Sequence, residues 1–199
     1  MHLKLMYMKK SLLIVAVLLT GMLFSGCGYN KMVSMDESVA SAWAQVENVY
    51  QRRADLIPNL VETVKGYATH EQETFTKVIE ARSKATSMTI DPKNLTPEAI
   101  QQFQEAQQGL SSALSRLMVV VEQYPDLKAN QNFLDLQAQL EGTENRITVE
   151  RMKFNETTQA YNAFIRRFPE LITAKIFGFD KKAYFEAQAG AEKAPEVKF

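Results

Sequence analysis

The stretch NQNFLDLQAQLEGTENRITVERMKFNETTQAYNAFIRRFP, residues 130–169, has an apolar residue at every seventh position. A seven-residue repeat keeps its side chains on one side of an α-helix, so the stretch predicts a long helix with one apolar edge. The neighbouring edge is mostly polar. We expect the helix to begin near Asn130 and to end before Pro169, a span of about 58 Å at ~1.5 Å per residue. The apolar row is Phe133, Leu140, Ile147, Phe154, Tyr161 and Phe168.

A second striped helix precedes it. Thr96, Pro97 and Glu98 form a typical helix start, with a capping hydroxyl, a proline at the first helical position and an acid in the first turn. This helix is expected to run to about Gln123 and to be stopped by Pro125. Its apolar positions include Ile100, Leu114 and Val121 on one row, and Phe103, Leu110 and Leu117 on the next.

The same seven-residue spacing covers residues 36–87 and predicts a first helix of about 75 Å. Pro58 lies inside it, and since the stripe continues in phase through this proline we expect a kink there. One row is Trp43, Tyr50, Ile57, Val64, Glu71, Val78 and Ala85, and the other is Val39, Val46, Arg53, Leu60, Tyr67 and Thr74.

Short loops between long striped helices favour antiparallel neighbours. The sequence therefore predicts an all-α fold: an antiparallel up-down helical bundle of three long helices, the first kinked at Pro58, plus a short C-terminal helix. The bundle is assigned to residues 36–176. Residues 177–199 are expected to be a short helix and flexible tail, with the short helix at 171–176 or 181–189. The first helix is longer than its neighbours, so its unmatched end needs a cover from the short helix, another protein or a membrane.

The amino-terminal region has the features of a secretory signal. An apolar run at residues 12–24 follows Lys9 and Lys10, and it is shorter than the roughly 20 residues that span a bilayer. Phe24, Ser25 and Gly26 before Cys27 resemble the lipobox of bacterial lipoproteins. We therefore predict a signal peptide at 1–26, lipidation of the Cys27 thiol, and a lipidated tether at 27–35. An ordinary buried cysteine or a short uncleaved membrane helix remain as alternatives.

Charge narrows the partners that we expect. Three lysines precede Cys27, so the remaining chain carries more acidic than basic residues and lacks the basic face that nucleic acids require. No acidic residue directly follows Cys27, so nothing resembles an inner-membrane retention signal. The prediction is a protein of the cell envelope, lipid-anchored to a membrane on the extracytoplasmic side, and on the outer membrane if the cell has one. Neither nucleic acid nor a small-molecule substrate is expected.

Four blocks of the sequence resemble the LemA family. They are YQRRADLIPNLVETVKGYATHE (50–71), EQYPDLKANQNFLDLQAQLEGTENRI (122–147), ERMKFNETTQAYNAFIRRFP (150–169) and FGFDKKAYFE (177–186). The resemblance implies an all-helical antiparallel bundle on a membrane-tethered protein, and it implies no catalytic mechanism. Many family members look as if they keep an uncleaved amino-terminal membrane helix, and the lipobox-like Cys27 departs from that pattern.

No cofactor, metal or catalytic site is predicted, and we do not expect an enzyme. His70 is the only histidine after Cys27, and position 74, where a zinc helix would carry its second histidine, is Thr74. One histidine without a free thiol is too few ligands for an ordinary zinc site. Gly66 and Gly109 are isolated glycines and form no phosphate-binding loop.

Charged residues interrupt the apolar stripes. If the helices run antiparallel, Arg53 meets Glu144 or Glu150, and such pairs set register more than they add stability. Exposed rims of the bundle, or a binding groove, are the alternatives. The residues of this polar cluster are Arg52, Arg53, Asp55 and Asn59 on the first helix and Glu141, Glu144, Asn145 and Arg151 on the third.

These observations predict an interaction or scaffold protein, bound to the membrane by its lipid and to another envelope protein by its surface. A regulator of an envelope enzyme such as a protease is one alternative. Self-assembly through the long first helix is another.

Overall fold

The structure is a computed structural model that describes the backbone of residues 2–186 and the side chains of residues 28–186. This part of the chain is all-helical and has no strand, which confirms the predicted class. The helices are α1 (His2–Lys65), α2 (Gln72–Ser87), α3 (Pro97–Val121), α4 (Pro125–Lys128), α5 (Gln131–Phe164) and α6 (Glu170–Phe177), with a 3-10 turn at Pro92–Asn94.

Two of the helix starts follow their local sequence signals. The Thr96 hydroxyl accepts a hydrogen bond from the Ala99 N–H, and Pro97 occupies the first turn of α3, as predicted. The Asn130 side chain accepts from the Phe133 N–H at the start of α5. Both caps satisfy backbone donors that a helix start leaves without an internal partner.

The long helices α1 and α5 lie side by side and run in opposite directions. The rings of Trp43 and Phe154 are 5.5 Å apart, and ten residues further along α1 and ten residues back along α5, Arg53 meets Glu144. α3 runs in the same direction as α1, because Trp43 contacts Phe103 while Arg53 contacts Gln107.

The prediction of one continuous first helix over residues 36–87 is wrong, because the structure divides this stretch into two helices. α1 continues through Pro58 and ends at Lys65, a turn occupies residues 66–71, and α2 folds back on α1. The predicted unmatched end of the first helix is therefore not a free rod, since α2 packs against both α1 and α3. The seven-residue spacing of the apolar residues continues in the same phase on both sides of the turn, so the sequence pattern does not reveal the break.

Pro58 has a structural effect other than ending the helix. Proline has no N–H, so it leaves the carbonyl four residues earlier, that of Ala54, without its helical donor. The Arg82 Nε on α2 donates to this carbonyl at 2.7 Å. The missing backbone bond is thus replaced by a contact that joins α2 to α1.

Buried apolar residues form two clusters along the bundle. The first surrounds Trp43 and includes Phe103 and Phe154, and the second surrounds Leu60 and includes Phe75 and Leu117. Between them lie Arg53 and Gln107, both buried. The bundle therefore has a polar layer at its middle.

Residues 28–35, which the sequence predicts to be a tether, belong to α1, and Met32 is fully buried in the first cluster. The short helix expected at 171–176 corresponds to α6. Residues 181–186 are extended instead of helical, and 187–199 lie outside the described residues. Within residues 28–186, no helix has a stretch long and apolar enough to span a membrane.

Candidate functional site: a polar layer and a C-terminal strap

The polar layer is centred on Arg53, whose side chain is only 3% exposed. Its Nη1 lies 3.0 Å from a Glu144 carboxylate oxygen and 3.1 Å from the Ser111 hydroxyl. Its Nη2 donates to the Gln107 side-chain oxygen at 2.6 Å and to the Gln107 carbonyl at 3.3 Å. Glu144 was one of the two partners expected for Arg53.

Gln107 extends the layer to a fourth helix, α2. While its side-chain oxygen accepts from Arg53, its amide nitrogen donates to the Ala85 carbonyl at 3.2 Å. The layer therefore links α1, α2, α3 and α5 through directional bonds. Buried polar groups that are not paired cost stability, so this arrangement favours one alignment of the helices over a slipped one.

Glu144 gives the layer access to solvent, because its side chain is 57% exposed. Arg53 also lies over the Tyr50 ring, with its guanidinium carbon 5.1 Å from the ring centre. Burial raises the pKa of the Tyr50 hydroxyl above its ordinary value.

A cavity of about 230 Å³ adjoins the layer where α1, α2 and α3 meet. Tyr50 and Gln107 line it, together with Glu47 and Thr86. Desolvation by burial raises the pKa of the Glu47 carboxyl. The cavity thus has a half-buried carboxyl in its wall, next to the polar layer.

The structure does not bring all the predicted cluster residues to one place. Asp55 is turned to α2, where it lies 4.0 Å from Arg82 and accepts from Gln51. Glu141 accepts from Gln137 along α5. The remaining cluster members Arg52, Asn59 and Asn145 are exposed, and Glu150, the other partner expected for Arg53, pairs with Lys153.

Arg151 belongs to a different site, which the sequence analysis missed. It donates to the Glu186 carbonyl at 3.2 Å and lies over the Phe185 ring at 4.6 Å. Both residues belong to the extended segment 179–186, which we call the C-terminal strap. The strap crosses the bundle beside α5 and buries Phe185 against Trp43, with 5.7 Å between ring centres.

Two asparagines on α5 hold the strap by its backbone. Asn155 donates to the Phe185 carbonyl and accepts from the Phe185 N–H, both at 2.9 Å. Asn162, one heptad later, does the same with Lys182 at 2.8 and 3.0 Å. A signal for this site was the seven-residue spacing of the two asparagines on the helix edge next to the apolar row.

Lys182 joins the strap to α1 and to the 3-10 turn. Its ammonium lies 3.2 Å from the Asp36 carboxylate and donates to the Lys93 carbonyl at 3.0 Å. Within the described part of the chain, no three His, Cys, Asp or Glu side chains are grouped as metal ligands would be. The contacts of both sites are between parts of the chain itself, so the arrangement suits alignment and rigidity.

Comparison with known proteins identifies a family and several relatives with similar sequences. The model of the LemA family matches residues 42–199. Magnetosome protein MamQ of Magnetospirillum gryphiswaldense is 29% identical over 182 residues, covering 81% of this chain and 66% of that protein. Protein LemA of Metamycoplasma hominis is 23% identical over 158 residues, 79% of this chain and 68% of that one.

A magnetosome protein MamQ of Paramagnetospirillum magneticum is 26% identical over 183 residues, and the match again covers 66% of the relative. The chain thus spans about two thirds of the length of the curated relatives it matches. Because the family model matches residues 42–199, well over half of the chain, the chain belongs to the LemA family.

Proposed function

We propose that this chain is a membrane-anchored scaffold protein of the bacterial cell envelope that presents its helical bundle to another envelope protein. Membership of the LemA family and the similarity to MamQ and LemA proteins support a membrane-associated envelope protein. The anchor is a lipid on Cys27.

The observation that carries the proposal is the continuity of α1. α1 runs without a break from Cys27 to Lys65, and Met32 is buried in the first cluster, so no flexible linker separates the lipidated cysteine from the bundle. From Gly28 to Lys65 this helix extends about 55 Å. A rigid connection fixes the distance and orientation of the bundle's far end relative to the membrane, which is what a scaffold needs.

The partner surface is assigned to the exposed side of the α1–α5 contact at the polar layer. Arg52 and Asn145 flank the Arg53–Glu144 pair, and the Glu144 carboxylate is accessible there. This surface carries both signs of charge on helices whose alignment the buried part of the layer fixes. Such a surface suits recognition by charge complementarity.

The anchor is tested by labelling cells with an alkyne fatty acid and separating the membranes. The full chain should carry the label and remain with the membrane, and Cys27→Ala should lose both. Ser25→Ala, which keeps a small residue before the cysteine, should behave as the wild type. A Cys27→Ala chain that stays in the membrane would show that an uncleaved helix is the anchor.

The partner surface is tested by a photo-crosslinking residue at position 145 of the full chain in living cells. We expect a protein adduct at this position, and Arg52→Glu should weaken it. Lys77→Glu, a charge reversal on the exposed side of α2, serves as the matched control and should leave the adduct intact. Loss with both variants, or with neither, would contradict the assignment of this surface.

A further inference from the structure

The short helix α6 exposes apolar side chains where a surface helix normally exposes polar ones. Phe168 just before it is 82% exposed, Ile176 71% and Phe177 59%, and Leu171 and Ile172 are also exposed. Of the residues of α6 itself, only Ala174 is buried. We call these five exposed residues the α6 face. Contiguous exposed apolar patches mark interaction sites.

The α6 face is held in place by the first described turns of α1. The Tyr29 ring lies 4.9 Å from the Phe177 ring, and Ala174 is part of the cluster that buries Met32. A side chain at Gly28 would come within 3.9 Å of Glu170. The helix is therefore packed beside residues 28–32, at the end of the bundle nearest the apolar run.

The distance from the apolar run to the α6 face is short. Residue 24 ends the run, and Gly28 follows four residues later on the same helix, a rise of about 6 Å. This step rests on the proposed function, since it needs a membrane at the amino-terminal end of α1. A lipid on Cys27 and a retained helix both place the α6 face at headgroup level.

The residues around the face carry the charge that an anionic membrane attracts. Arg166, Arg167, Lys175 and Lys181 are exposed, against one exposed acid, Asp180, and Glu170, which is half-buried against α1. Basic residues beside exposed apolar ones are typical of helices that lie in the membrane interface.

We propose that the α6 face docks into the headgroup region of an anionic lipid bilayer. Its apolar side chains enter the boundary with the acyl chains, and its basic neighbours contact lipid phosphates. This second contact, beside the anchor, keeps the α1–α5 axis from tilting freely. A lipid surface is favoured over a protein because the anchor already brings it to this end of the bundle.

The test places tryptophan on the face of the full chain, reconstituted in vesicles of phosphatidylglycerol and phosphatidylethanolamine with brominated acyl chains. Ile176→Trp emission should fall at least about twofold against the same vesicles without bromine. Ile79→Trp is the matched control, since Ile79 is exposed on α2 and far from this end. Its emission should not change. Trp43 is buried and contributes equally to both.

A second experiment tests whether docking depends on the charge of the lipid. Arg166→Gln with Arg167→Gln in the Ile176→Trp chain should reduce quenching, and so should vesicles of phosphatidylcholine alone. Equal quenching in all of these would overturn the role of anionic lipid.

The outcomes separate the two proposals. Chains that float with the vesicles but show equal, weak quenching at 176 and 79 would overturn docking while anchoring stands. Chains that do not float would contradict the anchoring, and the docking would fall with it. A photo-crosslinker at 176 that forms a protein adduct in cells, together with absent quenching, would assign the α6 face to a protein and overturn the inference.

Discussion

Arg53 is a permanently charged side chain in the interior of the bundle, and its carboxylate partner Glu144 reaches solvent. The two members of this pair therefore differ in burial, and removing one is not equivalent to removing the other. Removing Glu144 leaves the guanidinium buried with only the neutral oxygens of Gln107 and Ser111 to accept from it. A buried charge without its counter-ion is destabilising even when neutral acceptors remain.

We expect Glu144→Ala to lower the free energy of unfolding by about 1–3 kcal/mol, since one charge-assisted hydrogen bond to a buried donor is lost. Denaturant unfolding of the full chain in detergent measures this. Glu141→Ala is the matched control, because Glu141 lies one turn earlier on α5 and bonds only to Gln137. It should change stability by less than about 0.5 kcal/mol. Similar losses in both variants would show that the buried pair has no special role.

The raised pKa of the Glu47 carboxyl predicts that the stability of the chain depends on pH. Burial raises the pKa of its carboxyl in the folded chain, so the folded state binds the proton more tightly than the unfolded chain. The stabilising effect of that proton is fully present below the unfolded pKa and is lost as the pH rises through the folded pKa.

Glu47→Gln removes this titration and keeps the shape of the side chain. The variant should therefore gain melting temperature relative to the wild type at pH 7.5 and gain less or nothing at pH 4. Thermal unfolding followed by circular dichroism at the two pH values is the measurement. A wild-type chain that equals the variant at both values would contradict the prediction.

For the helices, the sequence predicted the features that depend on interactions between residues close together in the chain. The start of α3 depends on Thr96 and Pro97 alone, and the apolar edge of α5 depends on its own spacing. The Arg53–Glu144 contact was also predictable, because an antiparallel alignment of two striped helices allows few partners for a charge in the stripe.

The end of α1 was not predictable in the same way. Pro58 carried the strongest helix-breaking signal, yet its cost is offset by Arg82, which lies 28 residues away and binds the free Ala54 carbonyl. The turn at 66–71 has only Gly66 as a local signal, and Val64 and Val78 on either side of it are both buried in the expected row. Tertiary contacts therefore determine both the continuation of α1 through Pro58 and its end before the turn at 66–71.

The C-terminal strap was missed because an extended segment has no helical period, and its contacts come from side chains on another element. Asn162 is buried and makes three hydrogen bonds, two to the Lys182 backbone and one to the Tyr184 hydroxyl. The strap thus depends on α5, and α5 covers Phe185 in return.

We expect Asn162→Ala to release the strap and to destabilise the chain by about 1–3 kcal/mol, because backbone groups of Lys182 lose their partners. Hydrogen exchange at residues 182–186 should speed up more than exchange in α3. Asn145→Ala, on the exposed part of α5, is the control and should change neither. Unchanged protection of the strap in Asn162→Ala would show that Phe185 alone holds it.

For the whole molecule, the question is whether two apolar clusters separated by a polar layer unfold together. The Trp43 cluster lies toward the amino-terminal end of α1 and the Leu60 cluster toward its carboxy-terminal end. Both α1 and α5 run through both clusters without a break, so neither cluster can lose these helices alone. The bonds of Arg53 to α3 and α5 add a directional link between them.

This continuity predicts one cooperative transition. Leu117→Ala creates a cavity in the Leu60 cluster and should cost about 2–5 kcal/mol. Trp43 is the single tryptophan and reports on its own cluster, which Leu117 does not join. We expect the Trp43 fluorescence midpoint to fall with the circular dichroism midpoint by the same denaturant concentration. The exposed Val119→Ala on α3 is the control and should leave both in place. If Trp43 fluorescence keeps the wild-type midpoint in Leu117→Ala while circular dichroism loses part of its signal early, the two clusters unfold separately, and α1 and α5 do not hold them together as one rigid unit.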